Sequence, residues 1–185
     1  MSRDSVNLQQ DLSDYANRYP GDFHASACLS FLTKASLPFH REHAEGHFTG
    51  SAWLVDASGA RVLLTHHRKL NRWLQLGGHA DGDSDLSAVA LREAEEESGI
   101  SGLSVERDIF DVDRHWIPER YNEPGHWHYD VRYVVRAGAN DTFAVSDESL
   151  ELAWVSIEAI ATANDTDESL RRMAKKWLER EANSF

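Results

Sequence analysis

Residues Gly77–Ile100 read GGHADGDSDLSAVALREAEEESGI, and the fold of the whole chain turns on how this stretch is understood. Two glycines open it and an acidic turn follows. From Leu86 the pattern is that of a helix carrying Glu93, Glu95, Glu96 and Glu97. A helix advances about 100° per residue. With Leu86 at zero, Val89 and Ala90 fall within about 60° of it, forming an apolar stripe that faces a core. Glu93, Glu96 and Glu97 land at about 340°, 280° and 20° on the same count, so three carboxylates continue the face that begins with Leu, Val and Ala. Glu95 points the other way, to solvent. Carboxylates gathered on an inward face repel one another and are costly to desolvate unless a cation sits among them. Mg²⁺ or Mn²⁺, hard ions that prefer oxygen ligands and keep several waters, meets that demand. Arg92 lies one turn before Glu96 and can pair with a neighbouring acid. The competing reading is a solvated, charge-rich surface helix; the glycines and the spacing weigh against it.

The order of residues is Gly78, five residues, Ser84, seven residues, then Arg92-Glu93-Ala94-Glu95-Glu96-Glu97-Ser98-Gly99-Ile100. This resembles the Nudix box: a glycine, five residues, Glu, seven residues, Arg-Glu, an apolar residue, any residue, Glu-Glu, any residue, Gly and an apolar residue. Every defining position matches except the first Glu, which is Ser84 here, flanked by Asp83 and Asp85. The resemblance implies that Glu93, Glu96 and Glu97 bind metal and activate water, that the Gly77 carbonyl is a further metal ligand, and that Arg92 orients Glu93. Ser84 replaces the acid that braces the loop, and either adjacent Asp can stand in. The resemblance also implies an α/β fold, an α/β/α sandwich with a mixed sheet, over roughly residues 48–161. Two N-terminal helices lie outside it. The expected division is an N-terminal helical extension, 1–46, and a Nudix domain, 47–185, that includes a C-terminal helix.

Composition narrows the partners. With 19 basic and 31 acidic residues among 185, the formal charge is −12 and the pI about 5.2, which argues against a nucleic-acid backbone or an anionic membrane as partner. The single cysteine, Cys28, excludes an internal disulfide and points to a reducing compartment. Between Ala27 and Leu29 it reads as a small core residue rather than a nucleophile. The N-terminus carries no basic-then-apolar signal pattern, and no apolar run approaches a membrane span. A soluble, cytoplasmic protein is expected.

Along the chain, residues 4–19 read as a helix with Val6, Leu8, Leu12 and Tyr15 on its apolar side, ended by Pro20-Gly21. A second helix is expected over 22–35. Their apolar faces must pack on something: the domain, a homodimer interface or the substrate entrance. His40, Arg41, Glu42, His43 and Glu45 form a polar linker. Strands are expected over 49–55 and 61–65 as an apparent hairpin around Asp56–Gly59, with Gly50 and Ser51 small enough for close approach of a ligand. Arg68, Lys69 and Arg72 are the densest positive charge in an acidic chain. They can meet substrate phosphates or protect a hairpin edge.

After the box, a strand over 103–112 and a loop over 113–125 lead to His126-Trp127-His128-Tyr129-Asp130-Val131-Arg132-Tyr133. Alternation puts His126, His128, Asp130 and Arg132 on one face, read as the floor of a cleft with His128 and Arg132 toward substrate. His126 and His128 suit a transition metal, but no third soft ligand is evident, so zinc is not expected. Farther on, Trp154-Val155 resembles the Trp-apolar pair of the family, and Glu148 or Glu151 the acid that precedes it, with Glu148 preferred as the loop position. That acid can bind a second metal or act as the general base. The expected activity is Mg²⁺-dependent hydrolysis (Mn²⁺ also suitable) of a nucleoside diphosphate linked to another moiety. The expected partner is therefore a nucleotide-type small molecule. The alternative is a non-hydrolytic Nudix-fold nucleotide sensor. An isoprenoid-diphosphate isomerase on the same fold would want a cysteine near the sheet, where Cys28 is poorly placed.

Overall fold

The computed structural model describes residues 3–67, 71–120, 124–144 and 149–183. Helices α1 (Arg3–Arg18) and α2 (Phe23–Lys34) come first, then strands β1 (Gly46–Val55), β2 (Arg61–His67) and β3 (Arg72–His79). The box helix α3 (Leu86–Ser98) follows, then β4 (Ser104–Ile117), β5 (His126–Arg136), β6 (Ser149–Ser156), α4 (Ile157–Thr162) and α5 (Glu168–Ala182). The strands form one sheet in the order β4-β5-β1-β3-β2-β6, a mixed α/β fold of the expected class. No helix among the described residues is long and apolar enough to cross a membrane.

Contacts divide the chain into two compact units. The first holds residues 1–51, 77–90 and 105–133. In it, Leu8, Leu12 and Tyr15 are the buried stripe of α1, at the spacing of one helix face. Asp22 caps α2 by accepting from the His24 and Ala25 amides, which satisfies donors a helix start otherwise leaves open. Ala25, Cys28, Phe31 and Leu32 are the buried side of α2. Phe31 stacks on Tyr129 of β5 with ring centroids 4.0 Å apart and lies 5.6 Å from Phe48 of β1. Each such aromatic contributes about 1.5–3 kcal/mol by burial. The N-terminal helices therefore pack on strands of their own chain. Cys28 is fully buried and burial pushes its thiol up, the state of a core residue.

The first unit also explains Gly50. A Cβ there would lie 2.8 Å from the Leu86 carbonyl oxygen and 2.9 Å from Val89 Cγ1. The close approach is thus to helix α3 and not to a ligand. Gly50→Ala is expected to lower stability by about 1–3 kcal/mol through overpacking, seen as a lower urea midpoint. A midpoint equal to wild type would show that α3 is not seated against β1.

The second unit holds residues 52–76, 91–104 and 134–185. The expected β1–β2 hairpin is reduced to the pair Val55↔Val62, because β3 takes the place beside β2. Leu64↔Gln75 and His66↔Trp73 register β2 with β3, and Val62↔Val155 through Thr65↔Leu152 register it with β6. Ser156 and Asp167 cap α4 and α5. Leu170, Met173, Ala174 and Trp177 of α5 are buried, and Trp177 donates to the Gly59 carbonyl at 2.8 Å. Strands β1 and β4 are longer than expected, taking in residues 46–48 and 113–117.

Candidate active site

Helix α3 delivers the box acids. Leu86, Val89, Ala90 and Ala94 are buried, so the apolar stripe read from spacing is the inward side. Glu93 and Glu97 are half-buried, whereas Glu96 and Glu95 are exposed. Glu93 and Glu97 lie four residues apart and so on one face; Glu96 stands at its rim. Arg92 donates to Glu93 Oε1 at 3.0 Å. Carboxylate oxygens are the donor type that Mg²⁺ and Mn²⁺ prefer.

Gly77 lies in β3 with φ +156, and a Cβ would sit 2.7 Å from the Ser51 Cα. Only glycine lets this backbone run so close to β1. Asp85, next to Ser84, is held by several donors. Asp85 accepts from the Ser87 hydroxyl at 2.6 Å and the Ala88 amide at 3.0 Å, which caps α3. Its other oxygen accepts from Arg107 at 2.8 Å. Burial raises its pKa, but the Ser87, Ala88 and Arg107 donors outweigh that and hold it below 3.8. A depressed folded pKa means stability that is present above the unfolded value and lost as pH falls through the folded one. Asp85→Ala is expected to cost about 1 kcal/mol at pH 7, with the difference from wild type shrinking below the ordinary carboxylate range. A difference that grows in acid would contradict the capping role.

The remaining expected residues fall in different places. Arg68 and Glu148 lie outside the described residues. Arg72 is largely exposed, with Nη1 3.7 Å from Asp167 Oδ2. Arg132 is not on an open cleft floor: it is 2% exposed. Its guanidinium meets Asp130 at 2.7 Å, Asp111 at 3.1 Å and Asp113 at 3.6 Å. Thr49 and Ser51 of β1 donate to Asp130 at 2.8 and 2.7 Å. Burial works against the Arg132 charge, but the Asp130, Asp111 and Asp113 carboxylates outweigh it and raise its pKa. The cleft reading fails here because β4 supplies two aspartates that spend the donors of the fork.

The upper half of the same β5 face holds His126 and His128, and there the structure adds residues that sequence reasoning missed. His47 of β1 is 2% exposed, with its ring 4.9 Å from those of both His126 and His128. His79 of β3 is 5.0 Å from His47 and 5.1 Å from His128, and His115 of β4 is 5.5 Å from His128. Burial, then the neighbouring imidazoles, lowers His47 to about 4 and His128 to about 2, so both rings are neutral at pH 7. Starting β1 two residues earlier would have revealed His47, since His47, Thr49 and Ser51 alternate as one polar face.

A family model described as the NUDIX domain matches residues 47–177. The protein named nucleoside diphosphate-linked moiety X motif 6 from Xenopus laevis is 25% identical over 149 residues, 78% of this chain and 64% of the relative. Its mouse namesake is 23% identical over 160 residues, 84% of this chain and 49% of the relative. The chain thus spans about half to two thirds of the curated relatives it matches. A crystal structure of a NUDIX-family hydrolase from Clostridium perfringens superposes with a TM-score of 0.57 at 26% identity, covering 73% of this chain and 97% of that one.

Proposed function

The chain belongs to the Nudix family, and on that premise we propose that it hydrolyses a nucleoside diphosphate linked to another moiety in a Mg²⁺-dependent reaction. Mn²⁺ is an acceptable substitute. The observation that carries the reading is the acid set of α3, in which Arg92 holds Glu93 while Glu97 stays half-buried one turn on. Retention of all three central acids of the box favours hydrolysis over a non-hydrolytic sensor. The relatives' name, nucleoside diphosphate-linked moiety X, fits the substrate class.

In this reading Glu93, Glu96 and Glu97 would hold the cation, and the Gly77 carbonyl is the further ligand that the family resemblance implies. When bound, the ion offsets the charge of a diphosphate and makes water easier to deprotonate. Arg92 engages one oxygen of Glu93, and Glu93 is one candidate base for the attacking water. Glu148 is the other candidate base. Arg72, whose side chain is 60% exposed, and Arg68 are the phosphate contacts. Arg132 is not among them.

Turnover is measured over ADP-ribose, nucleoside triphosphates, dinucleoside polyphosphates, nucleotide sugars and coenzyme A, with Mg²⁺ and with Mn²⁺. Cleavage of a pyrophosphate bond in at least one of them is expected, and none without metal. In ¹⁸O-labelled water the label marks the phosphorus attacked. Tight binding with no product from any compound would favour the sensor.

A further inference from the structure

Three neighbouring strands of the first unit carry imidazoles to one spot. His47 is the second residue of β1, His126 and His128 open β5, and His79 closes β3. The strand ends are held in line by the Trp127 amide donating to the Glu45 carbonyl at 3.0 Å. One nitrogen from each of His47, His126 and His128 lies within 4.8 Å of the other two.

We propose that His47, His126 and His128 form a site for a divalent transition-metal ion of the zinc class, built from residues other than the box carboxylates. Zinc bonds imidazole nitrogen at about 2.0–2.1 Å with tetrahedral angles, which sets ligand nitrogens about 3.4 Å apart. His126 Nε2 and His128 Nε2 are already 3.2 Å apart. Against the 4.8 Å limit, the His47 nitrogen needs to close by no more than about 1.4 Å to reach that tetrahedral edge.

The hydrogen bonding prepares the ligands. His126 Nδ1 lies 2.8 Å from the Pro124 carbonyl. A carbonyl only accepts, so the proton sits on Nδ1 and the Nε2 lone pair is directed at His128. Such an outer hydrogen bond is what orients a metal-binding imidazole. Among the described residues, His47 has no hydrogen-bond partner at either ring nitrogen although it is buried. Leaving a buried polar group unpaired costs about 1–3 kcal/mol, and a metal ion gives one of the two nitrogens a partner. All three rings border a cavity of about 370 Å³, also lined by Arg41, Glu42 and His79. The fourth ligand comes from that side, as water or as His79. Imidazole donors select zinc-like ions and carboxylates select magnesium, so the two sets sort their metals by chemistry.

The test is zinc binding to the metal-stripped, full-length protein, by competition with a chromophoric chelator and with Co²⁺ as a spectroscopic substitute. Expected are one tight equivalent of zinc and an intense visible Co²⁺ spectrum of tetrahedral type. His47→Gln and His126→Ala should each weaken zinc by more than roughly 100-fold, beyond the loss that removing an outer-shell partner causes. Glu97→Gln should leave zinc affinity unchanged. The wild-type thermal midpoint should rise with zinc and not with the same concentration of magnesium, a readout that needs no variant to fold. The proposal is overturned by a wild type that takes up no zinc. It is equally overturned by a tight equivalent that survives both histidine substitutions or disappears in Glu97→Gln.

Discussion

Glu97→Gln is expected to lower metal-dependent turnover on the order of 10³-fold or more while leaving the urea midpoint close to wild type. The size follows from losing a full charge beside a developing phosphate transition state, where even one neutral donor is worth about 10²–10³. The stability forecast follows from the position. Glu97 is half-buried in the last turn of α3, and glutamine fills the same volume with the same helix propensity. Glu95→Gln, on the exposed side of the helix, serves as the control and should turn over as wild type. Turnover by Glu97→Gln within a few-fold of wild type would remove the box acids from the chemistry.

Arg132→Met should cost about 3–5 kcal/mol of stability. The methionine packs, but Asp111, Asp113 and Asp130 then lose the guanidinium that faces all three; their residues are at most 7% exposed. Breaking one side of a buried ion network is expensive because the other side cannot return to water. Adding Asp111→Asn and Asp130→Asn to Arg132→Met should recover part of the loss, since removing the charges together removes the penalty. Urea unfolding of the single and triple variants measures both. A loss below about 1 kcal/mol for Arg132→Met would mean that the arginine is bound as weakly as a surface ion pair. A loss that the triple variant does not reduce would mean that charge is not its cause.

The box helix was legible because its period and glycines agree, and the structure buries the Leu86, Val89 and Ala90 stripe read from spacing alone. The N-terminal helices were legible from their apolar period, with Pro20-Gly21 as the punctuation between them; the cap at Asp22 was not read. The burial of the β5 face was not. Alternation tells which side chains share a face, but not which strand lies alongside. That neighbour decides whether Arg132 meets solvent or Asp111 and Asp113. The third histidine escaped for a related reason. His47 is about 80 residues from His126 in sequence, and only the lateral order β5-β1-β3 joins them. A one-dimensional search for ligands ends at His-x-His.

Strand β1 serves different tasks with alternate residues. His47, Thr49 and Ser51 serve the histidines and the aspartate network, while Phe48 and Gly50 seat α2 and α3. Because the side-chain period of a strand is two, inserting a single residue between Gly46 and His47 would trade the two sets at a stroke. A phenylalanine would then be pressed into the polar network and a histidine against the helices. This strand can be edited by substitution, one position at a time, but its frame cannot be shifted; length variation belongs in the turn segment of residues 40–45, ahead of it.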